Sequence, residues 1–270
     1  MLYALNLKTC LVEDPLVRPK PLKFDERTQQ ILKSSGNVLQ SDLNELFQFV
    51  SKKQLKIKEK KSELIKFNFS KNYDFPPEFE INGFDQILEV TQQTKLLGII
   101  LTNDLKWESN TDYICTRAYQ KIYILRRLKK LDMEPLFMLD VYIKEIRSIL
   151  ELAVPAWHSG LTAKQAADIE RVQRMSVSII MSDWKTGKCG MSYEMALVTL
   201  DIEPLGTRRD KLCKKIATKT LKSRHRSMFQ ENIHRYFTRN KPAFVSESCN
   251  TKRFYNSPLN YLTRVLNDVQ

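Results

Sequence analysis

Apolar residues recur at three- and four-residue intervals through most of the chain after residue 110, which predicts a series of amphipathic helices. The first helix is expected over Thr111–Leu131. Its inward stripe consists of Ile114, Ala118, Ile122, Leu125 and Leu128. Further helices are predicted to begin at residues that favour helix starts: Pro135, Thr162, Ser192 and Pro204. The helix after Thr162 has a similar apolar stripe of Ile169, Val172, Val177 and Ile180.

The pattern before residue 110 is mixed. Residues 42–55 have the apolar spacing of a helix, with Ser41 as a plausible N-cap. Ile65, Phe67 and Phe69 alternate with polar residues, which is typical of a strand. Asn82-Gly83 lies between two short apolar stretches and predicts a hairpin turn.

The stretch "TKLLGIILTNDLKW", residues 94–107, predicts a further pair of strands. Its apolar run, residues 96–101, contains Gly98 in the middle. A glycine inside a strand indicates either a β-bulge or a place where another backbone approaches closely. Trp107 follows these strands and precedes the first helix of the series, so we expect its indole to be buried where the two meet.

These patterns predict an α+β fold, in which a small antiparallel β and helix part precedes a mostly α-helical bundle. Residues 1–37, with prolines at positions 15, 19 and 21, are expected to form a proline-rich arm. Residues 38–109 form the α+β part, residues 110–224 the helical domain, and residues 225–270 a loosely packed basic tail. The chain has only seven glycines, well below the usual share of about 7%, which favours long helices and few tight turns.

The charge balance indicates a polyanionic partner. Lysine and arginine total 44 against 31 aspartates and glutamates, a net charge of +13. Nucleic acid is the first expectation and an anionic membrane the second, although a basic protein with neither partner stays an alternative. No apolar run approaches the roughly 18 residues of a membrane span, so no membrane partner is expected. Five scattered cysteines fit a reducing compartment, which predicts an intracellular location, nuclear or cytoplasmic.

The sequence contains no recognisable catalytic arrangement. It has no phosphate-binding glycine loop, no paired cysteines and no Asp-Asp doublet of the kind that holds two metal ions. The acidic neighbours Glu13-Asp14 and Asp25-Glu26 lie in the predicted arm and are expected to be solvated charges. We therefore expect no catalytic residue, no metal, no cofactor and no enzymatic activity of the isolated chain.

A longer pattern resembles a known family. "SDLNELFQFVSKKQLKIKEKKSELIKFNF" followed by "INGFDQILEVTQQTKLLGIILTNDLKW" resembles the reverse transcriptases of non-LTR, LINE-type retroelements, just downstream of their catalytic aspartates. The similarity continues through "AYQKIYILRRLKKL" and "DIERVQRMSVSIIM" and covers roughly residues 15–225. It implies a palm edge, a primer-grip hairpin and a helical thumb, without the aspartates that bind the metal ions of an RNA-directed DNA polymerase.

The resemblance implies contacts with a primer–template of RNA or DNA. Five residues of the hairpin and the first thumb helix would make them: Leu97, Gly98, Arg126, Arg127 and Lys130. Two alternatives stay open. One is a helical protein-interaction module derived from a retroelement, with a protein partner, and the other is a retroelement remnant without function.

The helix after Pro204 adds candidates independently of the resemblance. Its cations recur at intervals of three and four residues and therefore form one stripe: Arg208, Lys211, Lys215, Lys219 and Lys222. Leu205, Leu212 and Ile216 form the neighbouring stripe and are expected to pack inward. Like charges at such spacing destabilise a helix by about 0.2–0.5 kcal/mol per pair, so a polyanion that neutralises them is favoured. The prediction is sequence-independent binding of nucleic acid.

Overall fold

The computed structural model describes residues 2–5, 9–11, 45–46, 48–49, 52–53, 63–67, 90–183, 186, 189–232 and 243–268. The fold is α+β, as predicted: short strands precede a set of helices. The chain divides into two compact units, Met1–Leu105 and Lys106–Gln270. This division lies close to the predicted boundary after residue 109.

The first unit contains a four-stranded sheet. Its strands are β1 (Leu2–Leu5), β2 (Thr9–Leu11), β3 (Leu64–Phe67) and β4 (Val90–Thr91), in the order β2-β1-β3-β4. Only the β3–β4 pair is parallel. On β3, the successive residues Leu64 and Ile65 are both buried. Because successive side chains of a strand point to opposite faces, both faces of β3 are covered. The strand predicted from Ile65 and Phe67 is confirmed, while Phe69 lies outside the described residues.

The N-terminal strands correct part of the predicted arm. Residues 2–5 and 9–11 belong to the sheet, because β1 pairs with β2 on one side and with β3 on the other. The pairing partner of Leu5 is Leu64, far along the chain, and local sequence periodicity carries no information about such a partner. The prolines of the predicted arm lie outside the described residues, as does the hairpin expected at Asn82-Gly83.

A second, two-stranded sheet follows in the same unit. Strands β5 (Gln93–Leu96) and β6 (Ile99–Thr102) are antiparallel, and Leu96 pairs with Ile99. The strand pair is confirmed, but Gly98 lies in the turn and not within a strand. Part of the predicted helix at residues 42–55 is also described, and residues 45, 46, 48, 49 and 52 are helical.

The second unit is helical. Its helices are α1 (Glu108–Lys130), α2 (Pro135–Val141, continuing through a π-helical segment Tyr142–Arg147 to Ser148–Leu150), α3 (Val154–Trp157), α4 (Ala163–Met181), α5 (Tyr193–Thr199), α6 (Leu205–Leu221), α7 (Lys252–Tyr255) and α8 (Pro258–Asn267). The predicted starts hold because they depend on local chemistry. Thr162 forms a capping box with Gln165, Ser192 accepts a hydrogen bond from the Met195 amide, and Pro135 occupies the first turn of α2.

Helices α1 and α4 form the centre of this unit. The predicted stripes are buried in both helices, except that Leu128 is only partly covered. Arg126 reaches Met175 and Lys129 donates to the Ile180 carbonyl at 3.0 Å, so the two helices run in the same direction. Burying these apolar side chains supplies the main driving force for the unit.

A buried polar network joins four helices around this centre. Gln173 of α4 accepts a hydrogen bond from the Tyr142 hydroxyl at 2.6 Å and donates to the Tyr193 hydroxyl at 2.9 Å. Tyr193 in turn donates to Glu170, which also accepts the Leu205 amide that begins α6. The carboxylate therefore satisfies a backbone donor at the start of α6 that has no partner inside the helix.

The C-terminal region contradicts the expectation of a loosely packed tail. Phe229, Phe244 and Leu266 are buried in one cluster with Ala217 of α6. The Asn267 side chain bonds both the amide and the carbonyl of Phe244, each at 3.0 Å. Leu262 and Leu266 of α8 lie one helical turn apart and both pack into this cluster, a period that is present in the sequence but that the expectation of a loose tail overlooked.

Candidate nucleic-acid interface

The five predicted cations of α6 lie on the side opposite its packed face. The residues of the packed face follow one another every four positions: Leu205, Arg209, Cys213 and Ala217. Each residue turns the helix by about 100°, so Arg208, Lys215 and Lys222 lie on nearly the same side, well away from these packed residues. Lys222 directly follows the last residue of α6. The predicted stripe is therefore a real feature of the surface.

The inward face of α6 differs from its prediction. Leu205 is buried and Leu212 is partly covered, but Ile216 is 41% exposed, so its predicted packing is wrong. Arg209 is only 3% exposed and takes a place on the packed face. The reason is that α6 packs against α3, α4 and α8, so the covered line follows these neighbours and not hydrophobicity alone.

Two of the five cations are neutralised by acids of the same unit. The Arg208 guanidinium forms two hydrogen bonds to the Glu151 carboxylate, one through Nε and one from Nη2 at 3.2 Å. Lys211 is ion-paired with Glu203. Lys215, Lys219 and Lys222 are exposed, and none of them takes part in an ion pair with the described residues. The candidate phosphate-binding group on α6 is therefore these three lysines.

The predicted cations of α1 form a second group. Arg126, Arg127 and Lys130 are exposed in the last two turns of the helix, where positive charge also interacts favourably with the helix dipole. Among the described residues, these side chains make one polar contact, a weak one of 3.9 Å from Arg126 Nη2 to the Met175 sulfur. Within the described part of the chain, no carboxylate pairs with any of the three.

The remaining predicted site residues, Leu97 and Gly98, belong to the first unit. They form the two-residue turn between β5 and β6, with φ of 51° and 89°. A type I′ turn needs positive φ at both central positions, which explains the glycine without a bulge or an approaching backbone. Leu97 is 75% exposed at the tip of this hairpin and adopts a conformation that is unfavourable for a leucine.

Two aromatic residues on α1 were missed by the sequence analysis. Tyr119 and Tyr123 are 36% and 61% exposed. They lie one helical turn apart and precede Arg126 and Arg127 by one further turn, so all four share the exposed side. The signal was present in the sequence as "YQKIYILRR", but the stripe analysis followed only the apolar positions of this helix.

A polar cluster around Arg209 holds α6 against its neighbours. The Arg209 Nε–H donates to His158 Nδ1 at 3.2 Å, and His158 Nε2 lies 2.7 Å from the Asp210 carboxylate. The Tyr261 hydroxyl of α8 donates to the same carboxylate at 2.8 Å. Burial lowers the pKa of His158, and a neutral ring is also what the geometry requires, because Nδ1 must accept. Both ring nitrogens are occupied, so the cluster is structural.

Two cysteines of the helical unit are buried and unreactive. Cys115 and Cys213 are free and buried, and burial raises the pKa of their thiols to about 11 and about 12. Thiols with such pKa values stay protonated at neutral pH and are poor nucleophiles and metal ligands. In the described ranges, no group of three or more histidine, cysteine, aspartate or glutamate side chains could hold a metal ion.

No protein-family model, no curated protein and no solved structure matches the chain. None of the helices among the described residues is long and apolar enough to cross a membrane. Fold and site together define an α+β protein whose helical unit displays two groups of exposed cations without an ion pair among the described residues.

Proposed function

We propose that the chain derives from the C-terminal part of a non-LTR reverse transcriptase and binds nucleic acid without regard to base sequence. The proposal includes no catalysis by the chain itself. The observation that carries it is the row of Lys215, Lys219 and Lys222, exposed and unpaired among the described residues on the outer side of α6. The row has two neighbouring like-charge pairs, which destabilise the helix by roughly 0.2–0.5 kcal/mol each. Phosphates would remove that repulsion.

The order of elements supports the ancestry that the sequence resemblance suggests. A hairpin is followed directly by a long basic helix and then by a helical bundle. Binding through ammonium groups to phosphates reads no base edges, so it is independent of sequence and strongly dependent on salt. The exposed cations of α1 would extend the same kind of contact.

The test is a salt titration of binding to a short duplex. Replacing Lys215, Lys219 and Lys222 with glutamine removes up to three phosphate contacts, so the slope of log affinity against log salt should flatten by up to about 2.7. The matched control replaces Lys121, Lys144 and Lys211 with glutamine; each is ion-paired in the structure. This control makes the same change in net charge and should keep most of the slope. An unchanged slope in the folded triple variant, or an equal loss in the control, would contradict the proposal.

A protein-interaction module is the second candidate, and a specific surface favours it. Leu131, Leu136 and Phe137 are exposed at the connection between α1 and α2. Apolar residues grouped on a surface often mark a protein contact. If this surface is the functional one, serine at positions 136 and 137 abolishes a protein interaction and leaves the salt-dependent binding of the duplex unchanged.

A further inference from the structure

One face of α1 combines exposed aromatic rings with cations. We call it the Tyr–Arg face and define it by Tyr119, Tyr123, Arg126, Arg127 and Lys130, all exposed. These residues follow one another at helical spacing over about 16 Å, at 1.5 Å per residue. The packed side of α1 faces away from it and includes Ala118 and Leu125.

The two tyrosines differ from the buried and half-buried tyrosines of the same unit. The hydroxyls of Tyr142, Tyr193 and Tyr261 all donate hydrogen bonds. The hydroxyls of Tyr119 and Tyr123 form no hydrogen bond with the described residues, and both rings are accessible from solvent. The helix packs through its apolar side, so aromatic residues on its exposed side contribute nothing to that packing. These two rings are therefore available to stack on a ligand.

Ring spacing distinguishes between the forms of nucleic acid. Four residues of α-helix separate the two rings by about 6 Å along the axis. Bases in a duplex are stacked at about 3.4 Å and enclosed by their neighbours, so two rings at this spacing cannot each stack on a base of an intact helix. An unpaired strand can open its bases, and stacking on aromatic side chains tolerates any base.

We propose that the Tyr–Arg face binds single-stranded nucleic acid. Tyr119 and Tyr123 stack on bases, and Arg126, Arg127 and Lys130 contact the phosphates. This inference rests on the proposed function and adds the substrate class to it. Cationic side chains next to accessible aromatic rings are the combination by which sequence-tolerant single-strand binders work. The lysines of α6 offer charge without rings, and so they do not distinguish a single strand from a duplex.

The experiment compares a 12-nucleotide oligo-dT with a 12-base-pair duplex, using the full chain and fluorescence anisotropy at one salt concentration. The variant Tyr119→Leu/Tyr123→Leu removes both rings but keeps apolar bulk and helix propensity. We expect oligo-dT binding to weaken at least fivefold, the low end of the loss for one stacked base, and duplex binding to change less than twofold. Tyr119→Phe/Tyr123→Phe keeps the rings and should bind as the parent does.

Tyr255→Leu is the matched control, because Tyr255 is also exposed but lies outside the face. It should leave binding of both nucleic acids unchanged. If oligo-dT binding survives the loss of both rings, or if the control weakens it equally, the inference fails while the proposed function stands. If the parent binds neither the single strand nor the duplex, the proposed function fails and the inference with it.

Discussion

At the scale of single residues, the contact between Trp107 and Gly160 shows how closely the helical unit is packed at its start. The indole is 7% exposed, as expected from the sequence. A Cβ at position 160 would lie 2.5 Å from the indole Nε1 and 2.6 Å from Cδ1. Such distances lie far inside normal van der Waals contact. Gly160 is therefore required by this packing.

Gly160→Ala should lower the free energy of unfolding by about 1–3 kcal/mol, because the methyl group must displace a buried ring. Gly206→Ala is the control: nothing lies within 4 Å of the added Cβ, and the residue is in the first turn of α6. That change should be neutral or stabilise by up to about 1 kcal/mol. Urea denaturation of both variants measures the difference. Equal stability of Gly160→Ala and the parent would mean that the indole is not held in place.

At the scale of elements, α1 and α5 end in the same way although the chain is poor in glycine. After α1, the Met133 amide bonds the Leu128 carbonyl and the Asp132 amide bonds the Lys129 carbonyl. The Ile202 and Asp201 amides make the equivalent bonds after α5. Both are Schellman motifs, and in each an aspartate occupies the left-handed position, with φ of 53° and 51°.

Asp132→Gly and Asp201→Gly should each raise the free energy of unfolding by about 1 kcal/mol. Glycine removes the strain of the left-handed conformation, and the change also removes a negative charge from the negative end of a helix dipole. Thermal denaturation of the single variants checks this. Asp132→Ala separates the two causes, because it removes the charge and keeps the strain. If alanine stabilises as much as glycine, the explanation by backbone strain is wrong.

At the scale of the whole molecule, residues 243–268 complete the helical unit. The rings of Phe229 and Phe244 meet edge to face, with centroids 6.0 Å apart, and Leu266 of α8 is buried in their cluster. Tyr261 adds its hydrogen bond to Asp210 of α6. The C-terminal segment thereby covers part of α6, which also packs against α3 and α4.

Leu266→Ala should therefore lower the free energy of unfolding of the helical unit by about 2–5 kcal/mol, the usual range for a buried leucine. Leu259→Ala changes the same residue type on the same helix at an exposed position and should lower it by less than about 0.5 kcal/mol. Circular dichroism during urea denaturation reports both. If the Leu266→Ala variant is as stable as the Leu259→Ala variant, the C-terminal region is loosely packed, as the sequence predicted.

The sequence by itself determined the features that depend on neighbours within a few residues. The starts of α2, α4, α5 and α6 follow from proline positions and capping side chains, and the buried stripes of α1 and α4 follow from helical spacing. The outward direction of the lysine row on α6 is also a property of spacing. All of these are short-range effects, which explains why a pattern along the chain is enough to predict them.

Tertiary structure decided the features that need a distant partner. Strand β1 forms by pairing with β3. Arg209 is buried because His158 accepts its hydrogen bond and the neighbouring helices pack around it. Leu266 is buried because it packs in a cluster with Phe229. Glu151 neutralises Arg208 from 57 positions away, so the number of available cations on α6 could not be read from the sequence. The sequence analysis put Gly98 inside a strand, and only the register between β5 and β6 shows that it lies in the type I′ turn. Local patterns determine which residues lie on the same side of a helix or strand. Packing and electrostatics between distant segments determine which of those residues are buried, ion-paired or left exposed.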